Sequence, residues 1–177
     1  MNVAKIRGFE KVTTFEEINL PKRATKAAAG YDFEAASDVI IPSIWKSGIA
    51  TALKVALKKE EIFLDEEMIK QVKPVLVPTG VKAYMGEEEF LQLCNRSSNP
   101  LKNFLLLGNG VGVIDSDYYN NENNEGHIMF QFLNFGLRDV TIKKGERVGQ
   151  GIFLPFLKAD EDSATTERQG GFGSSGK

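Results

Sequence analysis

A carboxylate-rich tetrapeptide, Asp115-Ser116-Asp117-Tyr118, directly follows a short apolar run. A carboxylate at the end of a strand can form a turn, and it can also act as a general base. Taken alone, the tetrapeptide favours the interpretation of Asp115 as a turn former. A second polar group, Arg96-Ser97-Ser98, also follows a predicted strand and combines one cation with two hydroxyl groups. This composition suits phosphate binding, but it is also ordinary for a loop.

Residues 171–177 have the glycine and lysine spacing of a P-loop. We do not expect a P-loop here, because that motif needs a strand before it, a helix after it and a Ser or Thr next to the lysine. Consecutive Gly and Ser amides could still surround an anion, Arg168 could bind phosphate oxygens, and Phe172 offers a face for a base. A disordered tail is the alternative interpretation.

The glycine-rich stretch Gly108-Asn109-Gly110-Val111-Gly112 does not fit the dinucleotide-binding fingerprint, and no crossover helix is predicted after it. Its glycines predict a hairpin in which a ligand can approach the backbone closely. Asn109, at the tip, is either a turn residue or a ligand contact.

The elements that must position these groups are mostly short strands. They are β-branched or aromatic, are bounded by turn residues, and are predicted at residues 39–41, 75–77, 81–84, 90–93, 104–107, 111–114, 128–133, 140–142 and 152–156. Short strands at such close spacing predict an all-β sandwich or barrel, with a jelly-roll arrangement as one candidate.

Residues 44–70 depart from the strand pattern. Ile49, Leu53 and Leu57 recur every four residues with lysines towards the end of the run, which predicts an amphipathic helix, and Asp65 can cap a second helix that extends to Lys70. This helical insertion is either a surface decoration or a contact surface for a protein partner. Residues 1–159 are predicted to form the domain, and residues 160–177 a flexible glycine-rich arm.

The composition excludes several classes of function. With 177 residues, a net charge of -2 and 42% hydrophobic residues, the chain is predicted to be one ordered domain rather than a general polyanion binder. One Cys and one His exclude a disulfide framework and a Cys/His zinc site. Because no signal peptide and no membrane-spanning segment are predicted, we expect a cytoplasmic protein.

Taken in order, five segments resemble the sequence motifs of the trimeric deoxyuridine triphosphatase (dUTPase) family. They are Ala29-Gly30-Tyr31-Asp32, Arg96-Ser97-Ser98, Gly112-Val113-Ile114-Asp115-Ser116-Asp117-Tyr118, Gly145-Glu146-Arg147-Val148-Gly149-Gln150 and residues 168–176. Each motif alone has low specificity, whereas five in order over most of residues 24–176 are highly specific. The resemblance implies a homotrimer of jelly-roll-like β-subunits that hydrolyses dUTP to dUMP and pyrophosphate with Mg²⁺, which limits uracil incorporation into DNA.

The resemblance also implies a role for individual residues. Asp115 would be the general base that activates water for attack on the α-phosphorus, and Tyr118 would lie against the deoxyribose and exclude a 2′-hydroxyl. The backbone of residues 109–114 would read uracil, with contacts from Asn109, Ile114 and Met129.

The remaining implied residues bind the triphosphate end of the substrate. Those on the β-domain are Arg96, Ser97, Ser98 and Gln150, with Asp32 near the water shell of the metal. The C-terminal arm would close over a neighbouring subunit's site, where Phe172 covers uracil while the terminal phosphate is bound by Arg168, Gly173, Ser174 and Ser175.

Four features depart from the family pattern. Ser98 and Asn99 stand where many members have Gly and an aliphatic residue, and Gly149 replaces a common Ala. Residues 120–125 lengthen the segment after Tyr118, and residues 44–70 have no counterpart in minimal members. Two alternatives therefore stay open: a dCTP deaminase of the same fold, and a regulatory role in which the insertion binds a protein.

Overall fold

The computed structural model describes residues 5–46 and 73–165, and these residues form twelve β-strands and two short helical turns. The strands are β1 (Gly8–Lys11), β2 (Lys22–Arg23), β3 (Tyr31–Glu34), β4 (Val39–Ile41), β5 (Val75–Pro78), β6 (Val81–Tyr84), β7 (Glu89–Asn95), β8 (Leu105–Leu107), β9 (Gly112–Asp115), β10 (Met129–Asn134), β11 (Val140–Ile142) and β12 (Arg147–Pro155). A π-helical turn covers Asn99–Asn103, and a 3₁₀ turn covers Ser116–Tyr118. The all-β prediction is confirmed for this part of the chain, while the predicted insertion lies almost wholly outside it. Within the described ranges, no helix is long and apolar enough to cross a membrane.

The strands pair antiparallel in four sheets. The largest has the order β2-β3-β12-β7-β9, a second has the order β5-β10-β8, and β1-β6 and β11-β4 form two-stranded sheets. Apolar side chains from the sheets meet in one core cluster that includes Phe33, Leu91, Phe130 and Phe132. The rings of Phe33 and Phe130 pack edge-to-face with centroids 5.6 Å apart, which joins the largest sheet to the second.

Strands β1 and β3 were not predicted, because their charged residues hide the apolar pattern. Each strand contributes one phenylalanine to the interior: Phe9 packs against the rings of Tyr31, Phe33 and Phe153 at 5.2–5.3 Å. Strand burial here depends on neighbours that are distant in sequence, so a local window does not reveal it.

Strand β12 begins at Arg147, five residues earlier than predicted. Gly149 and Gly151 obscured it, since glycine is depleted in strands. Both are required by close packing: a Cβ on Gly149 would overlap the Phe130 ring, and one on Gly151 would lie 2.7 Å from Cε2 of Phe33. The fourth motif therefore forms part of a central strand.

The predicted hairpin at residues 108–112 is wrong. Strand β8 pairs with β10, whereas β9 pairs with β7, so these residues carry the chain from one sheet to the other. Gly110, with φ of 69°, supplies the left-handed residue of this turn. The turn still presents Asn109 on the surface, as a ligand contact would require.

Candidate active site

The first, second and fourth motifs meet on three adjacent strands. Gln150 of β12 lies opposite Asp32 of β3 on one side and Cys94 of β7 on the other. Arg96, Ser97 and Ser98 follow directly after β7 ends at Asn95. The register therefore brings Asp32, Gln150 and the Arg96-Ser97-Ser98 group to the same end of the largest sheet.

Close contacts fix the side chains at this end of the sheet. A Cβ on Gly30 would lie 2.5 Å from Oε1 of Gln150, so the Gln150 side chain lies over Gly30 and would have to shift for a larger residue there. Nη1 of Arg147 donates to Oδ2 of Asp32 at 3.1 Å, and Nη1 of Arg96 donates to the carbonyl oxygen of Arg147 at 2.9 Å. The two arginines and the Asp32 carboxylate thus form one connected polar group.

Asn99 anchors the loop that carries the two serines. Its Nδ2 donates to Oδ1 of Asn95 at 2.8 Å and to the carbonyl oxygen of Val148 at 2.9 Å, and it is only 3% exposed. Asn99 stands where many family members have an aliphatic residue, and its buried side-chain amide is hydrogen-bonded inside the protein. It ties the end of β7, and with it Ser97 and Ser98, to β12.

A surface cleft of about 530 Å³ lies beside this group. Its lining includes Arg96, Arg147, Asn103 and Thr141, together with the carboxylates of Glu34 and Glu146. Two guanidinium groups with neutral donors around them can bind phosphate oxygens. Sequence reasoning missed Arg147 as a site residue, although it belongs to the fourth motif, because only the folded structure shows that its guanidinium binds the Asp32 carboxylate.

Asp115 occupies the last position of β9, where it lies opposite Phe90 of β7, and it is half-buried. The 3₁₀ turn Ser116–Tyr118 follows Asp115. Within the described residues, the Asp115 side chain does not make the capping hydrogen bond of that turn. This observation weakens the interpretation of Asp115 as a turn former.

Asp115 and the Arg96-Ser97-Ser98 group lie at opposite ends of the β7–β9 ladder. Asp115 pairs with Phe90, near the start of β7, while Arg96 follows the last residue of that strand. Six steps of extended chain, from Phe90 to Arg96, separate the two positions by about 20 Å. One subunit therefore does not bring Asp115 next to its own Arg96, Ser97 and Ser98.

Tyr118 is 6% exposed and is held at its hydroxyl. The hydroxyl donates to the carbonyl oxygen of His127 at 3.2 Å and accepts a hydrogen bond from Nδ2 of Asn124 at 2.8 Å. The phenol oxygen thus faces the protein, so any substrate contact must come from the ring. Asn124 is another residue that sequence reasoning missed, since nothing in a run of asparagines distinguishes it.

The other predicted uracil-binding residues of the β-domain lie on strands of two different sheets. Ile114 is half-buried in β9 opposite Leu91, and Met129 is half-buried at the start of β10 opposite Pro78. The arm residues lie outside the described part of the chain: Arg168, Phe172, Gly173, Ser174 and Ser175.

Similarity to known proteins covers nearly the whole sequence. The family model described as dUTPase matches residues 62–176. A deoxyuridine 5′-triphosphate nucleotidohydrolase from Lactococcus lactis subsp. lactis (strain IL1403) is 47% identical over 176 residues, which cover 97% of this chain and 99% of the relative.

Solved structures agree with the sequence comparison. The crystal structure of a dUTPase from Streptococcus mutans is 45% identical, with a TM-score of 0.69 over 86% of this chain and 98% of that one. A mutant dUTPase from phage phi11 of Staphylococcus aureus, described with a structural Mg(II) ion, has a TM-score of 0.62 over 92% of this chain and 98% of that one; at 14% identity it shows the shared fold alone. The jelly-roll-like β arrangement is therefore confirmed. With this fold, and with 47% identity to a relative over nearly its full length, the chain belongs to the dUTPase family and is an enzyme of the hydrolase class.

Proposed function

We propose that this protein hydrolyses dUTP to dUMP and pyrophosphate by attack of water on the α-phosphorus. The observation that carries the proposal is the strand register, which gathers Asp32, Gln150 and Arg96-Ser97-Ser98 at one end of the sheet and leaves Asp115 at the other. Family membership supplies the substrate.

Asp115 is the proposed general base. A half-buried carboxylate at a strand end can take the proton from an attacking water while the strand fixes its position. As negative charge develops on the phosphoryl oxygens, the donors of Arg96, Ser97, Ser98 and Gln150 stabilise it without having to reorganise.

Uracil and the deoxyribose are recognised on the base side of the site. The turn at residues 108–111 and strand β9 present backbone amides and carbonyls, to which Asn109 adds a side-chain amide. Recognition of uracil by fixed hydrogen-bonding groups rejects cytosine, because its exocyclic amine leaves some of those groups unpaired. The Tyr118 ring is the proposed contact to the sugar.

The donor set fits Mg²⁺ held mainly by the substrate. Among residues 5–46 and 73–165, no three His, Cys, Asp or Glu side chains are grouped so that they could hold a metal ion. Mg²⁺ commonly keeps several waters and binds phosphate oxygens with one or two carboxylates, and Asp32 can accept hydrogen bonds from those waters. Bound in this way, Mg²⁺ would neutralise phosphate charge.

The separation of about 20 Å between the proposed base and the phosphate-binding group supports a site shared between subunits. In a homotrimer, Asp115 of one subunit can meet Arg96 of another. The arm of residues 160–177 is proposed to cover the shared site, with Phe172 on uracil and Arg168 on the terminal phosphate.

The test is pyrophosphate release from dUTP, dTTP, dCTP and UTP in the presence of Mg²⁺. We expect kcat/KM for dUTP to exceed the others by about 10⁴-fold, as at sites built to hydrogen-bond one substrate. The Asp115→Asn protein, purified in parallel, controls for contaminating phosphatases. Comparable turnover of dCTP, or release of ammonia, would overturn the proposal.

A further inference from the structure

The segment after the 3₁₀ turn forms a polar loop, residues 119–126, which we call the asparagine loop. Its ends are joined by a hydrogen bond from the backbone N–H of Asn120 to the carbonyl oxygen of Glu125 at 3.0 Å. Asn120, Glu125 and Gly126 all have left-handed backbones, with φ of 57°, 58° and 80°. Asparagine and glycine tolerate this conformation, but glutamate rarely adopts it. The side chain of Glu125 must therefore hold it there.

Two groups outside the loop fix Glu125. The Thr13 hydroxyl donates to its Oε1, and Nζ of Lys82 lies 3.1 Å from its Oε2. The Lys82 side chain is 10% exposed, and its ammonium also donates to Oδ1 of Asn120 at 2.6 Å. A cation this deeply buried needs partners, so Lys82 binds both ends of the loop. The hydrogen bond from Thr13, followed by that from Lys82, lowers the pKa of Glu125 and keeps it charged.

The loop in turn holds Tyr118. Nδ2 of Asn121 donates to Oδ1 of Asn124 at 2.8 Å and to the carbonyl oxygen of Tyr118 at 2.9 Å. This orients the Asn124 amide so that its Nδ2 donates to the Tyr118 hydroxyl at 2.8 Å. The Tyr118 hydroxyl donates to the backbone carbonyl oxygen of His127, and Nε2 of the same residue accepts from the backbone N–H of Gly80 at 2.8 Å. A Cβ on Gly126 would lie 2.5 Å from the Tyr118 carbonyl oxygen, so the loop packs directly on this residue.

We propose that Asn124, positioned by Asn121 and by the Lys82–Glu125 ion pair, is a positioning residue that fixes the Tyr118 ring and so sets discrimination between deoxyribose and ribose. This inference rests on the proposed function, in which the Tyr118 ring contacts the sugar. A substrate that differs by one added oxygen is rejected by bulk only if the ring cannot retreat. The hydrogen bond from Asn124 holds the hydroxyl end of the Tyr118 ring and so prevents that movement.

The experiment compares kcat/KM for dUTP and UTP in the full-length protein and in Asn124→Ala. We expect the ratio of dUTP to UTP to fall about tenfold or more, mainly through faster UTP turnover, because a small displacement of a contact group changes rates on this scale. A simple loss of folded protein lowers both rates equally and leaves the ratio unchanged. Glu122→Ala, at an exposed position of the same loop, is the matched control and should keep the wild-type ratio.

Tyr118→Phe gives a second measurement should Asn124→Ala fold poorly. It keeps the ring and removes the hydroxyl that Asn124 binds, so it should lower the ratio to a similar extent. In the Tyr118→Phe background, Asn124→Ala should change the ratio no further, since the two substitutions remove the same hydrogen bond. An unchanged ratio in a folded Asn124→Ala protein, or in Tyr118→Phe, overturns the inference. If the wild-type protein does not hydrolyse dUTP at all, the proposed function fails instead.

Discussion

Two residues of the site differ in how their surroundings constrain them. Asp115 is a half-buried carboxylate at the end of a strand, and the turn after it is formed without its side chain as a cap. His127 is 7% exposed and serves as a hydrogen-bond acceptor for the backbone of Gly80. Asp115 is proposed to take a proton from water, whereas a proton on Nε2 of His127 would remove the acceptor that Gly80 uses.

Asp115→Asn should lower kcat for dUTP by about 10²–10⁴-fold, because asparagine has nearly the same shape but cannot take a proton from water. Substrate affinity and thermal unfolding should change little. Steady-state kinetics, with binding of a non-hydrolysable dUTP analogue as the control, measure the effect. A near-normal kcat would return Asp115 to the role of a turn residue.

His127 should make stability depend on pH. Burial lowers the pKa of His127 below its ordinary value of 6.5, against a smaller opposing effect of Glu125. The unfolded chain therefore binds a proton first as the pH falls below 6.5, and the free energy of unfolding drops by up to about 1.4 kcal/mol per pH unit until the folded pKa is reached. Above pH 6.5 this contribution is fully present.

The measurement is urea unfolding between pH 7.5 and 5 at one fixed protein concentration, for the wild type and for His127→Gln. The glutamine variant has no titrating group at this position, so its curve should be flatter in that range. If the free energy of unfolding depended on pH in the same way in both proteins, the pH dependence could not be assigned to His127.

At the scale of elements, strand β12 carries most of the site's organisation. It pairs with β3 and β7, places Gln150 between Asp32 and Cys94, and crosses the core with two glycines. Its glycine at position 149 accommodates the ring of Phe130, which is buried and stacked on Phe132 with centroids 6.3 Å apart. The departure from the family's common alanine is thus matched by a large neighbour.

Gly149→Ala should destabilise the protein by about 1–3 kcal/mol, the usual effect of overpacking a close-packed core. Gly86→Ala is the matched control, because its Cβ would make only ordinary contact with the Glu89 carboxylate at 3.6 Å. Combining Gly149→Ala with Phe130→Leu should cost less than the sum of the two single changes, since the smaller side chain makes room. Thermal unfolding of the four variants tests this, and strict additivity would mean that the Phe130 ring is not the obstacle.

Sequence patterns predicted where the strands lie better than which strands pair with each other. The apolar runs of β5, β6, β10 and β11 were found to within a residue or two, because β-branched and aromatic residues are concentrated in them and turn residues bound them. Strand β12 was found only in its second half, since the packing that requires Gly149 involves a residue nineteen positions away. The turn at residues 108–111 was mistaken for a hairpin because local sequence does not show which sheet the next strand joins.

The same limit applies to the site. The residue types of Asp115 and Arg96 made them candidates without deciding their roles, and the order of the dUTPase-like motifs along the chain then implied roles for both of them and for Gln150. Arg147 and Asn124 were not singled out, since their importance comes only from the Asp32 carboxylate and the Tyr118 hydroxyl that they contact.

At the scale of the whole molecule, the β7–β9 ladder separates Asp115, the proposed base, from Arg96, a proposed phosphate-binding residue, by about 20 Å. Complementary site residues at opposite ends of a subunit are of little use to a monomer. A complete site would form when symmetry places one end of a subunit against the other end of its neighbour.

Mixing Asp115→Asn chains with Arg96→Ala chains should therefore restore dUTP hydrolysis after subunit exchange. Each variant alone should be nearly inactive, and the mixture should regain about a quarter of the wild-type rate, because a site works when both chains supply their intact part. Light scattering before and after exchange verifies the trimer, and a mixture without exchange is the control. Demonstrated mixed trimers with no recovered activity would place base and phosphate donors in one subunit.

The ladder also has a consequence for inheritance. Two defective alleles, one lacking the Asp115 carboxylate and one lacking the Arg96 guanidinium, would together yield a cell with working enzyme, although neither allele does so alone. A single allele with both lesions, present beside a normal copy, would disable about three quarters of the sites rather than half. Complementation between mutations is ordinarily taken as proof that they lie in different genes. With the proposed shared site, that rule would fail for this gene, because the two halves of the site lie at opposite ends of the β7–β9 ladder and meet only between subunits.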